Sequence, residues 1–165
     1  LQGDKELVSI YKKLGVQTIF DNGIVKLKKD QKINLPKKIV LTLNDTPDLA
    51  QTIAVTCFGL GLPCDLFGLH TLKIKETDRL LALKTELEKL WASVEITNES
   101  LHLKKRKKFN SNIEINTYDD HRMAMAFAPL AIIKPIIIND PMVISKSFPS
   151  VWNILSELNF RLSEY

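Results

Sequence analysis

Two segments, residues 47–58 and 122–133, are long enough for a helix and apolar nearly all round. Such a helix has no face to offer water, so it belongs inside a fold. Ala, Met, Cys and Thr among these residues permit close packing. Strands that pack on buried helices must then lie outside. This reverses the doubly wound arrangement, in which the sheet is buried. The expected class is α/β (α+β): an inside-out domain with apolar helices within and sheets on the exterior.

The rest of the chain fits around these helices. Leu7, Ile10, Tyr11 and Leu14 fall at helical spacing, and Gly15 closes that helix. Residues 16–20 and 24–28 flank Asn22-Gly23, a strong hairpin signal. A strand follows at 39–43, and Thr46 and Pro47 are a favourable cap and first residue for the helix to Phe58. A strand-like stretch at 64–74 leads into an amphipathic helix at 77–90, striped by Leu80, Leu83, Leu87 and Leu90. Residues 93–96 and 101–103 form a second hairpin, 113–115 a strand, and Asp119 or Asp120 caps the helix at 122–133. A buried strand is expected at 136–138, and Pro149 starts a last helix.

This order repeats. Lys13-Leu14, the first hairpin and Leu27-Lys28-Lys29 match Lys89-Leu90, the second hairpin and Leu103-Lys104-Lys105 at an offset of 76 residues. The unit mixes helices and strands and is too long for a solenoid repeat, so the chain reads as a duplicated α/β unit.

Composition narrows the function. A chain of 165 residues buries about 68–70% of its unfolded surface, enough for one core. No run reaches 18 apolar residues, so no membrane span is expected. Cys57 and Cys64 lack a C-x-x-C or Cys/His cluster, so they read as buried free thiols of a reducing compartment, with no metal site. The net charge of +4 owes much to Lys104-Lys105-Arg106-Lys107-Lys108. No aromatic residue interleaves with that run, so it reads as a solvated turn and not as a nucleic-acid platform. The chain opens on Leu1-Gln2-Gly3-Asp4 without Met, basic leader or cleavage site. The expectation is a cytoplasmic piece of a longer protein without a secretory signal.

The positions of charge carry the chemistry. Asp48 opens one apolar helix; Asp119, Asp120, His121 and Arg122 open the other. Acids suit a helix N-terminus, whereas Arg122 opposes the dipole unless an anion joins it. Lys75-Glu76-Thr77-Asp78-Arg79 crowds cations at a third helix start, and Lys75 and Arg79 repel if that turn is helical. Taken alone, this segment reads as a surface network neutralised by Glu76 and Asp78. Lys146 precedes a fourth helix. If these starts converge, Lys75, Arg79, Arg122 and Lys146 would line a pocket for a small polyanion, with Asp48 and Glu76 as acid/base groups.

The same segments resemble a known family. Lys75-Glu76-Thr77-Asp78-Arg79 resembles the K-E-[ST]-D-R signature of 3-phosphoshikimate 1-carboxyvinyltransferases, the EPSP synthase family. Asp120-His121-Arg122-Met123-Ala124-Met125 is similar to its D-H-R-M-A-M signature, Pro47-Asp48-Leu49-Ala50-Gln51-Thr52 to its P-D-x-A-x-T helix start, and Lys146-Ser147-Phe148-Pro149 to its K-[ST]-F-P element. Gln2-Gly3-Asp4 also matches a point inside the family's C-terminal domain. The resemblance implies a transferase without metal or organic cofactor. It moves the enolpyruvyl group of phosphoenolpyruvate to the 5-hydroxyl of shikimate 3-phosphate by addition–elimination, on the route to chorismate and aromatic amino acids. By motif, Asp48 takes the hydroxyl proton and holds shikimate 3-phosphate, and Glu76 protonates C3 of phosphoenolpyruvate. Lys75 contacts substrate, and Arg79, Arg122 and Lys146 bind the carboxylate and phosphate of phosphoenolpyruvate. Asp120 and His121 are supports.

The resemblance further implies that residues 1–165 are part of a C-terminal domain, about two βαβαββ units and part of a third. The N-terminal domain of the same protein is the missing partner. The full-length protein is expected to be a cytoplasmic monomer without nucleic-acid or membrane partners, and the piece alone is expected not to turn over. Two departures stand out. Trp91 replaces a Gly and cannot easily take a left-handed helix cap, and Met142-Val143-Ile144 is bulkier than usual. The competing readings are a sister UDP-N-acetylglucosamine enolpyruvyl transferase and a non-catalytic domain of the same fold.

Overall fold

The computed structural model describes residues 3–30, 32–106 and 108–163. Gln2 of the first motif and Lys107 of the basic run lie outside the described residues. Helix α1 (Glu6–Lys13) buries Ile10 and leads into an antiparallel ribbon, β1 (Val16–Asp21) with β2 (Ile24–Lys29). Asn22 and Gly23 both take positive φ, as a two-residue hairpin turn demands. Strand β3 (Ile39–Thr42) precedes α2 (Ala50–Leu60) and pairs in parallel with β4 (Cys64–Phe67). Helix α3 (Arg79–Lys89), β5 (Val94–Ile96) and β6 (Ser100–Leu103) follow. The four strands form one sheet in the order β3-β4-β6-β5. Residues 39–103 thus make one whole βαβαββ run. Before it stand α1, β1 and β2; after it come β7 (Ile113–Ile115), α4 (His121–Phe127), β8 (Ile136–Ile138) and α5 (Val151–Glu157). Strands β7 and β8 pair in parallel.

The inside-out expectation holds. Helix α2 buries Ala50, Gln51, Ile53, Ala54, Val55, Cys57 and Phe58, on most sides of the cylinder. It packs on α4, which buries Met123, Ala124, Ala126 and Phe127. The four-stranded sheet covers this core with one face only. Ile39, Cys64, Leu66, Leu101 and Leu103 point inward, while Val40 and Phe67 are exposed. Cys57 and Cys64 are buried free thiols as expected. The adjacent Cys57 thiol, together with burial, pushes the Cys64 thiol up, which keeps it inert.

Several boundaries differ from the sequence reading. Pro47 opens a 3-10 turn (Pro47–Leu49), and the α-helix begins only at Ala50; the Thr46 side chain makes no capping bond. The stretch from Cys64 stops being a strand at Phe67, because Gly68 turns with φ 77° against Asn44. Residues 70–74 then wind as a 3-10 helix. Residues 75–78 are not helical, so Lys75 and Arg79 are not helix neighbours; Asp78 caps α3 instead, accepting from the Leu81 N–H at 3.0 Å. Helix α4 gives way to a 3-10 turn at Ala128 because Pro129 lacks the next N–H donor. Strand β8 is half-buried and not fully covered, and the last helix starts at Val151, beyond Pro149.

Trp91 corrects the sequence reading directly. It does take the left-handed cap, with φ 71°. The Trp91 N–H donates to the Glu88 carbonyl (2.9 Å) and the Ala92 N–H to the Leu87 carbonyl (3.0 Å), the two bonds of a Schellman ending. The basic run also finds in space the aromatic neighbours it lacks in sequence. The Arg106 guanidinium lies over Phe58 and Phe109 (5.5 and 5.4 Å), and the Lys108 ammonium over Trp91 (5.0 Å). Lys104 pairs with Glu95 at 2.6 Å. Much of the run is therefore spent on the protein's own surface. Among the described residues no helix is long and apolar enough to cross a membrane.

Candidate active site

Three helix starts meet. The 3-10 turn ahead of α2 carries Asp48, the loop into α3 carries Lys75 and Glu76 with Arg79 as the first helical residue, and the start of α4 carries Asp120 and Arg122. Arg79 is the hub. Only 2% exposed, its guanidinium donates from Nη1 to Asp48 Oδ1 (2.8 Å) and from Nη2 to Glu76 Oε2 (2.6 Å). Its Nε donates to Asp120 Oδ2 (2.6 Å), and Nη2 also reaches Asp120 Oδ1 (3.3 Å). A planar fork suits this simultaneous engagement of three carboxylates better than an ammonium would.

Asp48 collects the other cations. Lys75 Nζ lies 3.4 Å from Asp48 Oδ1 and Arg122 Nη2 lies 3.9 Å from Oδ2. Arg122 Nη1 also donates to the Asp48 backbone carbonyl at 3.4 Å. Three acids and three cations thus sum to no formal charge. The cations are paired with the cluster's own acids, and an incoming anion would compete with Asp48 and Glu76 for the same donors. A cavity of about 310 Å³ opens beside it, lined by Asp45, Thr46, Pro47, Asp48 and Arg122 among others. The segment at 75–79 is neutralised by its own Glu76, as the surface-network reading has it, but its Arg79 is buried.

Lys146 stands apart. It ends a 3-10 turn (Pro141–Lys146) that packs against α4 and buries Ile144. Its side chain is exposed and makes no ion pair among the described residues. Of the bulky triplet before it, Met142 is exposed and only Ile144 enters the core. The structure therefore brings together Asp48, Lys75, Glu76, Arg79 and Arg122, and among the described residues gives Lys146 no hydrogen bond or ion pair to them.

Sequence reasoning missed part of the support. Asp120, the support that the motif implies, is fully buried and receives Arg79, the Arg122 N–H (2.9 Å) and Gln51 Nε2 (3.1 Å), the last of which was not expected. Gln51 was legible as an amide inside an apolar helix. Beyond it lies fully buried Glu86 on α3, which accepts from the Tyr118 hydroxyl (2.6 Å) and the Asn116 N–H (3.2 Å) and pairs with Lys89 (2.7 Å).

Comparison with known proteins gives the family of the chain. The family model described as "EPSP synthase (3-phosphoshikimate 1-carboxyvinyltransferase)" matches residues 1–155. The 3-phosphoshikimate 1-carboxyvinyltransferase of Bacteroides fragilis (strain YCH46) is 43% identical over 162 residues, 96% of this chain and 39% of the relative. The enzyme of that name from Neisseria meningitidis (serogroup C) is 33% identical, over 96% of this chain and 36% of its own length. The Petunia hybrida chloroplastic enzyme is 34% identical, over 95% and 31%. Among solved structures, an EPSP synthase from Acinetobacter baumannii superposes with a TM-score of 0.70 at 19% identity, covering 94% of this chain and 39% of that one. That likeness concerns the fold. The chain spans about 39% of the length of the first of these relatives.

Proposed function

Because the chain belongs to the EPSP synthase family, we propose that it forms part of the C-terminal domain of a 3-phosphoshikimate 1-carboxyvinyltransferase. The N-terminal domain would lie in the remainder of the protein, and the whole would act as a cytoplasmic monomer. The reaction joins phosphoenolpyruvate and shikimate 3-phosphate to give 5-enolpyruvylshikimate 3-phosphate and phosphate. The observation that carries this reading is the meeting of Asp48 and Glu76 with Lys75, Arg79 and Arg122 at three helix starts. The family match favours this acceptor over the UDP-sugar of the sister transferase.

In the proposed sequence of events, the carboxylate and phosphate of phosphoenolpyruvate draw on Arg79, Arg122 and Lys75, and Lys146 joins them once the ligand bridges the gap. Taking Arg79 from Glu76 breaks the 2.6 Å pair; the freed carboxylate takes up a proton from solvent and delivers it to C3. Asp48 accepts the proton of the 5-hydroxyl as its oxygen adds to C2. The tetrahedral adduct then expels inorganic phosphate, which takes the proton held by Asp48, and Glu76 recovers a proton from C3 as the double bond is restored. The clustered cations stabilise charge as it moves between carboxylate, adduct and departing phosphate.

The test is phosphate release by the full-length protein supplied with both substrates. Glu76→Gln is expected to lower kcat by about 10²–10⁴-fold with a smaller change in KM, since an amide cannot donate that proton. A pure KM effect, or no phosphate release by the parent enzyme, would overturn the assignment. The 165-residue chain alone is expected to release none.

A further inference from the structure

We propose that Glu86 is a positioning residue for Arg79: it fastens the Tyr118–Asp119 turn to α3 and thereby holds Asp120 on the guanidinium. The inference deepens the transferase reading and rests on it.

The first observation is the internal repeat. At an offset of 76, Glu86 corresponds to Ile10, and both are buried, at 0% and 4% exposure. The sibling helix fills this place with a hydrocarbon. A carboxylate in the same place must be desolvated, which is costly unless every oxygen finds donors. Glu86 finds three: the Lys89 ammonium, the Tyr118 hydroxyl and the Asn116 N–H. Two of these come from the segment that leads to Asp120.

The second observation is the backbone of that segment. Tyr118 and Asp119 both have φ of 55°. Asp tolerates the left-handed region, but for Tyr it is unfavourable, and such a conformation persists only where surroundings impose it. Here the imposed turn delivers Asp120 to both its tasks, capping α4 through the Arg122 N–H and receiving Arg79 Nε.

The third observation is register. Arg79 and Glu86 are seven residues apart on α3, two turns along one stripe. The 116–120 segment is therefore attached to one helix face at two points, through Asn116 and Tyr118 on Glu86 and through Asp120 on Arg79, with the left-handed pair between them. Burial and the Glu86 carboxylate push the Tyr118 hydroxyl up to about 12, so it stays protonated and donating at physiological pH. Without the Glu86 anchor the turn can relax, Asp120 withdraws from Nε, and the fork no longer presents Nη1 and Nη2 where the carboxylate of phosphoenolpyruvate needs them.

The test uses the full-length enzyme. Tyr118→Phe removes one hydroxyl and should raise KM for phosphoenolpyruvate about tenfold, with kcat within about twofold and KM for shikimate 3-phosphate unchanged. Glu86→Ala should do the same, and Glu86→Gln, which keeps an acceptor for Tyr118, should recover part of the loss. A merely structural role would lower the yield of folded enzyme and its Tm while leaving KM unchanged, and that outcome overturns the proposal. If Glu86→Ala fails to fold, Tyr118→Phe decides. If the parent enzyme releases no phosphate, the transferase reading falls by itself. The positioning role is then judged by hydrogen exchange at Arg79 Nε: faster exchange in Tyr118→Phe supports it and unchanged protection overturns it.

Discussion

The two copies of the repeat share a plan and differ in what surrounds them. In the first, α1 leads through Gly15 (φ 86°) into a two-stranded ribbon whose Phe20, Ile24, Val25 and Leu27 are exposed. In the second, α3 leads through Trp91 (φ 71°) into a hairpin that joins β4 to complete a four-stranded sheet, burying Leu101 and Leu103. The backbone turns the same way at both helix ends although one residue suits the turn and the other does not. The comparison teaches that the shape of the ending belongs to the repeat. The residue at that position affects only how much energy the shape costs.

The sharpest difference lies at the functional end. Arg79, hub of the cluster, corresponds to Gly3 in the first copy, where a Cβ would meet Thr46 Cγ2 at 2.8 Å. Arg79→Met should destabilise the protein by about 3–5 kcal/mol, because it leaves buried Asp120 without its charged partner. Urea unfolding measures this. A loss below about 1 kcal/mol would mean that the hub adds nothing to the second copy that the first lacks.

The hairpins give the next largest contrast. Leu103→Ala should cost about 2–5 kcal/mol, as for other large-to-small core changes. Leu27→Ala, at the matching position with 71% exposure, should stay within about 0.5 kcal/mol in this chain. Equal losses in parallel unfolding curves would erase the distinction between covered and uncovered copies.

Trp91→Gly should stabilise by about 0.5–1 kcal/mol, since Gly escapes the left-handed penalty but gives back chain entropy. The reverse change in the first copy, Gly15→Ala, should destabilise by more, because its Cβ would meet Ile33 Cγ2 at 2.6 Å as well. Thermal unfolding of both variants checks the pair; a destabilised Trp91→Gly would show that stacking of Lys108 on the ring outweighs the backbone term.

The smallest effect concerns His102, whose counterpart in the first copy is Lys26. Among the described residues Lys26 pairs with Asp21 of its own hairpin, whereas His102 reaches across to Asp65 on β4 at 2.9 Å. Burial alone would raise the Asp65 carboxyl, but hydrogen bonds from Lys38 and His102 outweigh it and hold it below its ordinary value of 3.8. A carboxyl depressed in the folded state stabilises above its unfolded value, and that stability is lost as pH falls through the folded one. Asp65→Asn should therefore be less stable than the parent at pH 7, with the gap closing below about pH 4. A gap that persists at pH 2 would assign the loss to packing.

Much of this was legible beforehand. The all-round apolarity of residues 47–58 and 122–133 foretold buried helices, because no amphipathic alternative exists for such a sequence. Asn22-Gly23 foretold the hairpin, because few residue pairs accept positive φ twice. Asp48, Glu76, Arg79 and Arg122 were legible as a set because each stands at a helix start. Other features were not. Residues 75–78 look like a helical turn by composition, but Asp78 caps α3 and keeps them out. The aromatic partners of Arg106 and Lys108 are distant in sequence, so no local window reveals them.

The order of apolar and charged residues along the chain was enough to determine which helices are buried, where hairpins turn and which ends bear charge. These follow from short-range sterics and from the cost of leaving hydrocarbon in water. Only the tertiary structure decided which acids the cations meet, that Lys146 makes no ion pair with them among the described residues, and that Glu86 sits under the turn leading to Asp120. Those outcomes depend on how three helix ends meet, and electrostatics at such short range is settled by ångström distances between residues that lie some 30 to 70 positions apart in the chain.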